Sequence, residues 1–273
     1  MKKLLVLLFL PLLFTCSSGD DDTDDTVSVD DTNPVYLAEN GVTVKAKDWA
    51  EVGMSGEING ITYTIVDEEI LDNMIANQED LTTICTSKIL EFANLNLGIH
   101  YNNPPYFNQD ISSWDVSNAW SLVGMFFYCI AFDQDISSWD VGNVTNMNNM
   151  FINAESFNQD ISSWDVSNVI SMDYMFKRAY LFNQPLNDWE TSNVESMMNM
   201  FWDATSFNQP LNDWETSNVE TMYEMFWGAH LYNQDLSSWN VSNVLECQNF
   251  CLDTPGWTLP KPNFTNCSDL GCD

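Results

Sequence analysis

A right-handed α/β solenoid, with one parallel strand and one short helix in each repeat, is the fold class that this sequence predicts. Three observations predict it. First, a 25-residue unit recurs six times across residues 107–256, opening at Phe107, Phe132, Phe157, Phe182, Phe207 and Tyr232. A fixed period of this length marks units that bury their faces only against their neighbours. Second, the unit F-N-Q-D-I-S-S-W-D-V-S-N-V-x-x-M-x-x-M-F-x-x-A-x-x places an alternating segment before one with apolar residues at helical spacing. Third, turn-punctuated segments and a cysteine-rich tail flank the repeats as caps.

Within a repeat, Trp114 and Val116 alternate with Asp115, which in a strand turns the two apolar side chains inward and Asp115 outward. Ser117-Asn118 supplies helix N-cap chemistry. Ser192-Asn193-Val194-Glu195 and Ser217-Asn218-Val219-Glu220 are full capping boxes. Val144, Met147, Met150 and Phe151 then share one helical face, and Ala154 closes the turn. Seven such strands at ~4.8 Å stack to about 30 Å.

Residues 34–80 read as an N-terminal cap. Asn40-Gly41 and Asn59-Gly60 are hairpin turns, and Asp67 caps a helix bearing Ile70, Leu71, Met74 and Ile75. Residues 81–106 hold a degenerate first repeat, and 257–273 form the C-terminal cap.

The first residues read as an export signal, 1–15, with Lys2 and Lys3 before the apolar run Leu4 to Phe14, too short to span a bilayer as a helix. The run ends at Leu13-Phe14-Thr15-Cys16, which resembles a bacterial lipobox with Cys16 as the lipidated residue. Ordinary cleavage is the alternative. Residues 16–33 then form an acidic tether, with Asp20, Asp21, Asp22, Asp24, Asp25, Asp30 and Asp31 repelling one another. Its Ser-Gly-acidic start resembles the surface-export signal of Bacteroidetes lipoproteins.

Eight basic residues stand against 40 acidic ones, a net charge of −32. Nucleic acid is therefore excluded as an expected partner, because phosphate binding needs cations. Of seven cysteines, Cys247, Cys251, Cys267 and Cys272 cluster at the end as staples in an oxidising compartment. Zinc is the competing reading, although C-x3-C and C-x4-C differ from the usual knuckle spacing. The pairing of Cys85 and Cys129 stays open.

The segment I-x-x-W-x-V-x-N resembles a leucine-rich-repeat strand, and the unit at 132–151 resembles the BspA-like leucine-rich-repeat surface protein family known from Mycoplasma, Listeria and Bacteroidetes. The resemblance covers nearly the whole mature chain. It implies cell-surface adhesion and protein binding, and it brings no catalytic residues. It also implies a Cys247–Cys267 pair, and Cys251 and Cys272, which are extra here, are expected to pair with each other.

Two sets of residues are candidate sites. Asp115, Asp140, Asp165, Glu190 and Glu215 form an acidic column that would bind Ca2+ weakly or attract a basic partner, or would be solvated charge only. Asp110, Asp135 and Asp160 add a second column. No metal site is assigned. Phe127, Trp202, Tyr223 and Trp227 fall off the inward face and are candidate contact aromatics, or pack between neighbouring helices. The Trp column reads as core, and the Asn column as buried amides, stacked repeat on repeat, that satisfy turn backbone groups.

An enzyme is not expected: His100 and His230 are the only histidines, and no phosphate loop, G-x-S-x-G or H-E-x-x-H occurs. The expected function is a lipid-anchored outer-membrane surface protein binding a protein or extracellular matrix component. Its membrane contact would be the N-terminal lipid alone. A glycan-binding module and a structural spacer are the alternatives.

Overall fold

The computed structural model describes residues 32–93, 95, 97 and 106–272. The chain divides into two compact units, Met1–Asp31 and Thr32–Asp273. The first lies outside the described residues, and with it the expected signal peptide, the lipidation at Cys16 and most of the tether. His100 also falls outside.

The second unit begins with two small sheets. Strands β1 (Val35–Leu37) and β2 (Val44–Ala46) pair antiparallel, with Leu37 opposite Val44. Asn40 closes their turn, its Oδ1 accepting from the N–H groups of Val42 and Thr43 at 3.0 Å each. Strands β3 (Ser55–Ile58) and β4 (Ile61–Ile65) are joined by Asn59 and Gly60, at φ 53° and 83°. Two left-handed residues give the turn twist that a two-residue hairpin needs. Asp67 Oδ1 then accepts from Ile70 N–H at 2.9 Å and starts helix α1 (Glu68–Ala76), which buries Leu71 and Ile75. Strand β5 (Ile84–Cys85) adds to β4 in parallel.

Beyond β5 the expected fold class is overturned. Among the described residues α1 is the one helix, and the five strands form two sheets that end at Cys85. The described repeats contain neither the strand nor the helix of an α/β leucine-rich-repeat-like solenoid. They are chains of turns, and single parallel bridges link Glu91, Ser121, Asn146, Ser171, Ser196, Thr221 and Glu246 in succession.

The backbone hydrogen bonds give the reason. A helix would send every N–H to the carbonyl four residues back. In the repeat that opens at Phe132, the N–H groups of Met150, Ile152 and Ala154 instead return three residues, to Met147, Asn149 and Phe151. Those of Met147, Asn149, Phe151 and Asn153 leave the repeat, for the carbonyls of Ser171, Asp173, Met175 and Lys177 at 2.8–3.1 Å. Alternate amides thus close turns and join neighbours. The expected strand fails in the same way, because Trp139 N–H returns to Ile136 and Val144 N–H to Val141. The expected capping boxes cap nothing, since no helix follows them.

A chain of turns also accounts for the apolar spacing. The first and fourth residues of a β-turn approach within about 7 Å. Ile136 and Trp139, Val141 and Val144, Met147 and Met150, Phe151 and Ala154, and Ala154 and Phe157 are such pairs, and all are buried. Their spacing is three throughout, and it accounts for Val144, Met147 and Met150, the spacing expected of a helical face.

The paired residues stack into columns along the repeat axis. Phe126, Phe151, Phe176, Phe201 and Phe226 follow one another at 5.3–5.6 Å between ring centroids. Phe107, Phe132, Phe157, Phe182, Phe207 and Tyr232 form a second column at 5.8–6.0 Å. The Trp column lies in the core, each indole N–H donating to the preceding repeat, as Trp189 Nε1 does to Ile161 O at 3.1 Å. The C-terminal tail closes the last repeat with Trp257, which meets Tyr232 edge-on at 4.7 Å.

Candidate interaction surface

The acidic column does not form one uniform face. Asp115, expected to point outward, is buried at 3 % exposure. The hairpin of β1 and β2 lies over the repeat that opens at Phe107, since Val44 N–H donates to Ser113 O at 2.9 Å. Asp115 Oδ2 accepts from Ser87 Oγ at 2.5 Å, and Oδ1 accepts from Ser117 Oγ at 2.6 Å with Lys45 Nζ at 3.5 Å. It is a structural carboxylate.

Asp140, Asp165, Glu190 and Glu215 are exposed. Three of these carboxylates are bound to their own chain. Asp140 Oδ1, Asp165 Oδ1 and Glu190 Oε1 accept from the N–H two residues on, at 3.2, 3.0 and 3.1 Å. Side-chain and backbone hydrogen bonds from Ser167 hold the Asp165 carboxyl below its ordinary pKa. Asp110, Asp135 and Asp160 do the same for Ser112, Ser137 and Ser162 at 2.9–3.0 Å. The carboxylates therefore have a local cause, the capping of turns. Asp140 Oδ1 and Asp165 Oδ2 both lie beside Gly142, where an added Cβ would stand 3.3 and 3.6 Å from them. Among the described residues no group of three or more His, Cys, Asp or Glu side chains is placed to hold a metal ion. In a thermal melt, calcium is expected to raise the melting temperature no more than sodium chloride at matched ionic strength. A saturable excess shift lost in Asp140→Asn with Asp165→Asn would reverse this.

The amides of the Asn column join the repeats. Asn143 Nδ2 donates to Ser117 O, Asn168 to Gly142 O, Asn193 to Ser167 O, Asn218 to Ser192 O and Asn243 to Ser217 O, all at 2.7 Å. These side chains were expected to be buried, yet the residues are exposed and act between repeats. The F-N-Q motif forms a second amide ladder. Asn183 Oδ1 accepts from Asn208 N–H at 2.9 Å and from Gln209 Nε2 at 3.1 Å.

The contact aromatics lie half-buried on one edge, and no helices stand between them. Phe127, Ile152, Lys177, Trp202, Trp227 and Leu252 hold the same place in successive repeats. Phe127 meets Tyr128 edge-on at 4.7 Å. Trp202 and Trp227 stack at 5.2 Å, 22° apart. Lys177 Nζ lies 3.1 Å from the Trp202 ring centroid and 5.2 Å from that of Tyr174. Burial, then the neighbouring Arg178, push the Lys177 pKa down. Arg178 Nε pairs with Asp203 Oδ2 at 3.3 Å. Tyr223, on the same edge, has its phenol pKa raised chiefly by its hydrogen bond to Glu224. Glu224 is buried and accepts from Asn199 Nδ2 at 3.0 Å and Asn249 Nδ2 at 3.4 Å. The edge therefore combines stacked indoles with the one pair of cations found in the six repeats. The partnership of Lys177 with Trp202 was readable as a shared repeat position.

Two disulfides fix the tail, Cys247–Cys267 and Cys251–Cys272, so these four residues do not bind zinc here. Cys85 and Cys129 are free and buried, and burial raises the pKa of both thiols.

Residues 68–180 and 160–257 match the family described as Mycoplasma protein of unknown function, DUF285. Together the two stretches cover more than two-thirds of the chain. The chain belongs to this family. In this DUF285 protein the matched region starts with α1 and ends at Trp257, so it takes in all six turn-built repeats. No curated protein and no solved structure matches the chain.

Proposed function

We propose that this DUF285 protein is a non-catalytic, BspA-like surface lipoprotein, anchored at the outer membrane through Cys16, that binds a protein or extracellular matrix component. The supporting observation is the Trp202–Trp227 stack with Lys177 against it, at 5.2 and 3.1 Å. Large aromatics held rigid beside a cation are the side chains that dominate protein interfaces. Both indoles are half-buried and stacked on a neighbour, so binding costs them little conformational entropy. The paired cysteines accord with an exported chain.

A glycan partner is less favoured by the same geometry. Sugar stacking needs an open ring face, and Trp202 stands between Lys177 and Trp227 in its column. Binding of the purified chain to immobilised extracellular matrix proteins tests the proposal. Trp202→Ala with Trp227→Ala is expected to weaken a bound partner at least 30-fold, about 2 kcal/mol, as for interface hot spots. Unchanged affinity would remove this edge from the reading.

A further inference from the structure

A second row of side chains is ordered by chemistry along the repeat axis. Leu90, Trp120, Thr145, Ile170, Glu195, Glu220 and Leu245 each stand just before a bridging residue. Each N–H after the first donates to the carbonyl of the residue before it in the row, at 2.8–3.0 Å. The row is thus contiguous. From Trp120 to Glu220 it has no free main-chain group, so a partner strand cannot add to it by backbone pairing. The apolar side chains stand clear: Leu90 is 55 %, Trp120 49 %, Ile170 45 % and Leu245 62 % exposed, with Thr145 half-buried between Trp120 and Ile170. Glu195 and Glu220 are exposed as well. The first four steps are apolar except for Thr145, the next two are acidic, and Leu245 ends the row.

We propose that this row docks an amphipathic helix of a partner protein. Its apolar residues would cover Leu90, Trp120 and Ile170, and its lysines or arginines would meet Glu195 and Glu220. The inference rests on the reading of the chain as a protein-binding molecule, and it names the class of partner segment. Bridged chains repeat at ~4.8 Å. A helix presents one face every ~5.4 Å, so it keeps step with the row to within about 3 Å over five repeats. An extended segment, with like-facing side chains about 6.7 Å apart, drifts by roughly 2 Å at every step. Exposed apolar side chains that run together mark contact surfaces, whereas scattered ones do not. The adjoining glutamates set the charge of the occupant. A second copy fits poorly: laid antiparallel, its acidic steps would meet the apolar ones, and each chain carries a net charge of −32.

The experiment measures fluorescence anisotropy of a labelled 20-residue peptide titrated with the full chain. The peptide is an amphipathic helix with leucines on one face of its first half and lysines on the same face of its second. Saturable binding is expected. Trp120→Ser with Ile170→Ser should weaken it at least tenfold, and Glu195→Gln with Glu220→Gln about tenfold with loss of salt sensitivity. These residues are exposed, so the variants should melt like the parent. No binding, or equal binding by parent and variants, overturns the inference. Concentration-dependent dimerisation or phosphatidylcholine vesicle binding that disappears in Trp120→Ser also overturns it, by giving the row another occupant. Failure of every matrix protein to bind the chain strikes at the broader reading instead, so the two failures are separable.

Discussion

Phe176→Ala is expected to cost about 3–5 kcal/mol of stability, the range for a large aromatic removed from a packed core. Phe176 is fully buried and stacks on Phe151 and Phe201 at 5.6 Å each, and on Phe182 at 4.1 Å. Its loss breaks the column in both directions. The surroundings can relax little, because the hydrogen bonds of Phe176 N–H to Met200 O and Phe151 N–H to Met175 O, both at 2.9 Å, fix the repeat spacing. Urea unfolding followed by tryptophan fluorescence measures the change. Phe176→Leu keeps most of the volume and should cost under about 1.5 kcal/mol. If alanine cost less than about 1 kcal/mol, the amide ladders, not the aromatic columns, would be the main support of the stack.

How far the sequence could be read depends on the kind of signal. Asn40-Gly41, Asn59-Gly60 and Asp67 act through local chemistry, and they stand where those signals put them, at two hairpins and a helix start. The period was legible too, since each bridge links residues one repeat apart from Ser121 onward. The conformation inside the repeat was not, because apolar residues three apart suit both a helix face and a run of β-turns. One signal separates the two. Residues 124, 149, 174, 199, 224 and 249, and those four places later, have positive φ in every repeat. Eight of these twelve are Gly, Asn or Asp: Gly124, Asn149, Asn199, Asn249, Asn153, Asp203, Gly228 and Asp253. Those residue types tolerate the left-handed region, and a helix interior would not recur to them at fixed places. At Gly228 space adds to φ, because a Cβ there would run into Asp203 Oδ1.

The candidate site was legible by column and not by depth. Alternation along an assumed strand put Asp115, Asp140 and Asp165 on one outer face. In a chain of turns each Asp instead faces its own amide two residues on, and only the overlying hairpin decides that Asp115 is buried while Asp140 is exposed. Contacts made by a non-repeating segment leave no trace in a repeat pattern. The contact aromatics were found because they break the pattern, and the stacking of Trp202 on Trp227 follows from the 25-residue register itself.

Removing both tail disulfides is expected to unfasten one end of the stack. Cys247–Cys267 and Cys251–Cys272 close loops with separations of 20 and 21 residues. A loop of that size is worth about 3 kcal/mol through the entropy it removes from the unfolded chain. The two loops overlap, so the second adds less than the first. The tail they hold carries Trp257, Phe264 and Leu270, which cover Phe250 and Cys251 at the open face of the last repeat. In a stack where each unit touches only its neighbours, an uncovered end frays first. Replacing the four cysteines with serine should therefore raise amide hydrogen exchange in residues 232–272 far more than in residues 132–182. It should lower the urea midpoint by an amount equivalent to about 3–5 kcal/mol. Uniform loss of protection along all repeats would instead show that the stack melts as one cooperative unit, with the tail holding every repeat rather than the last.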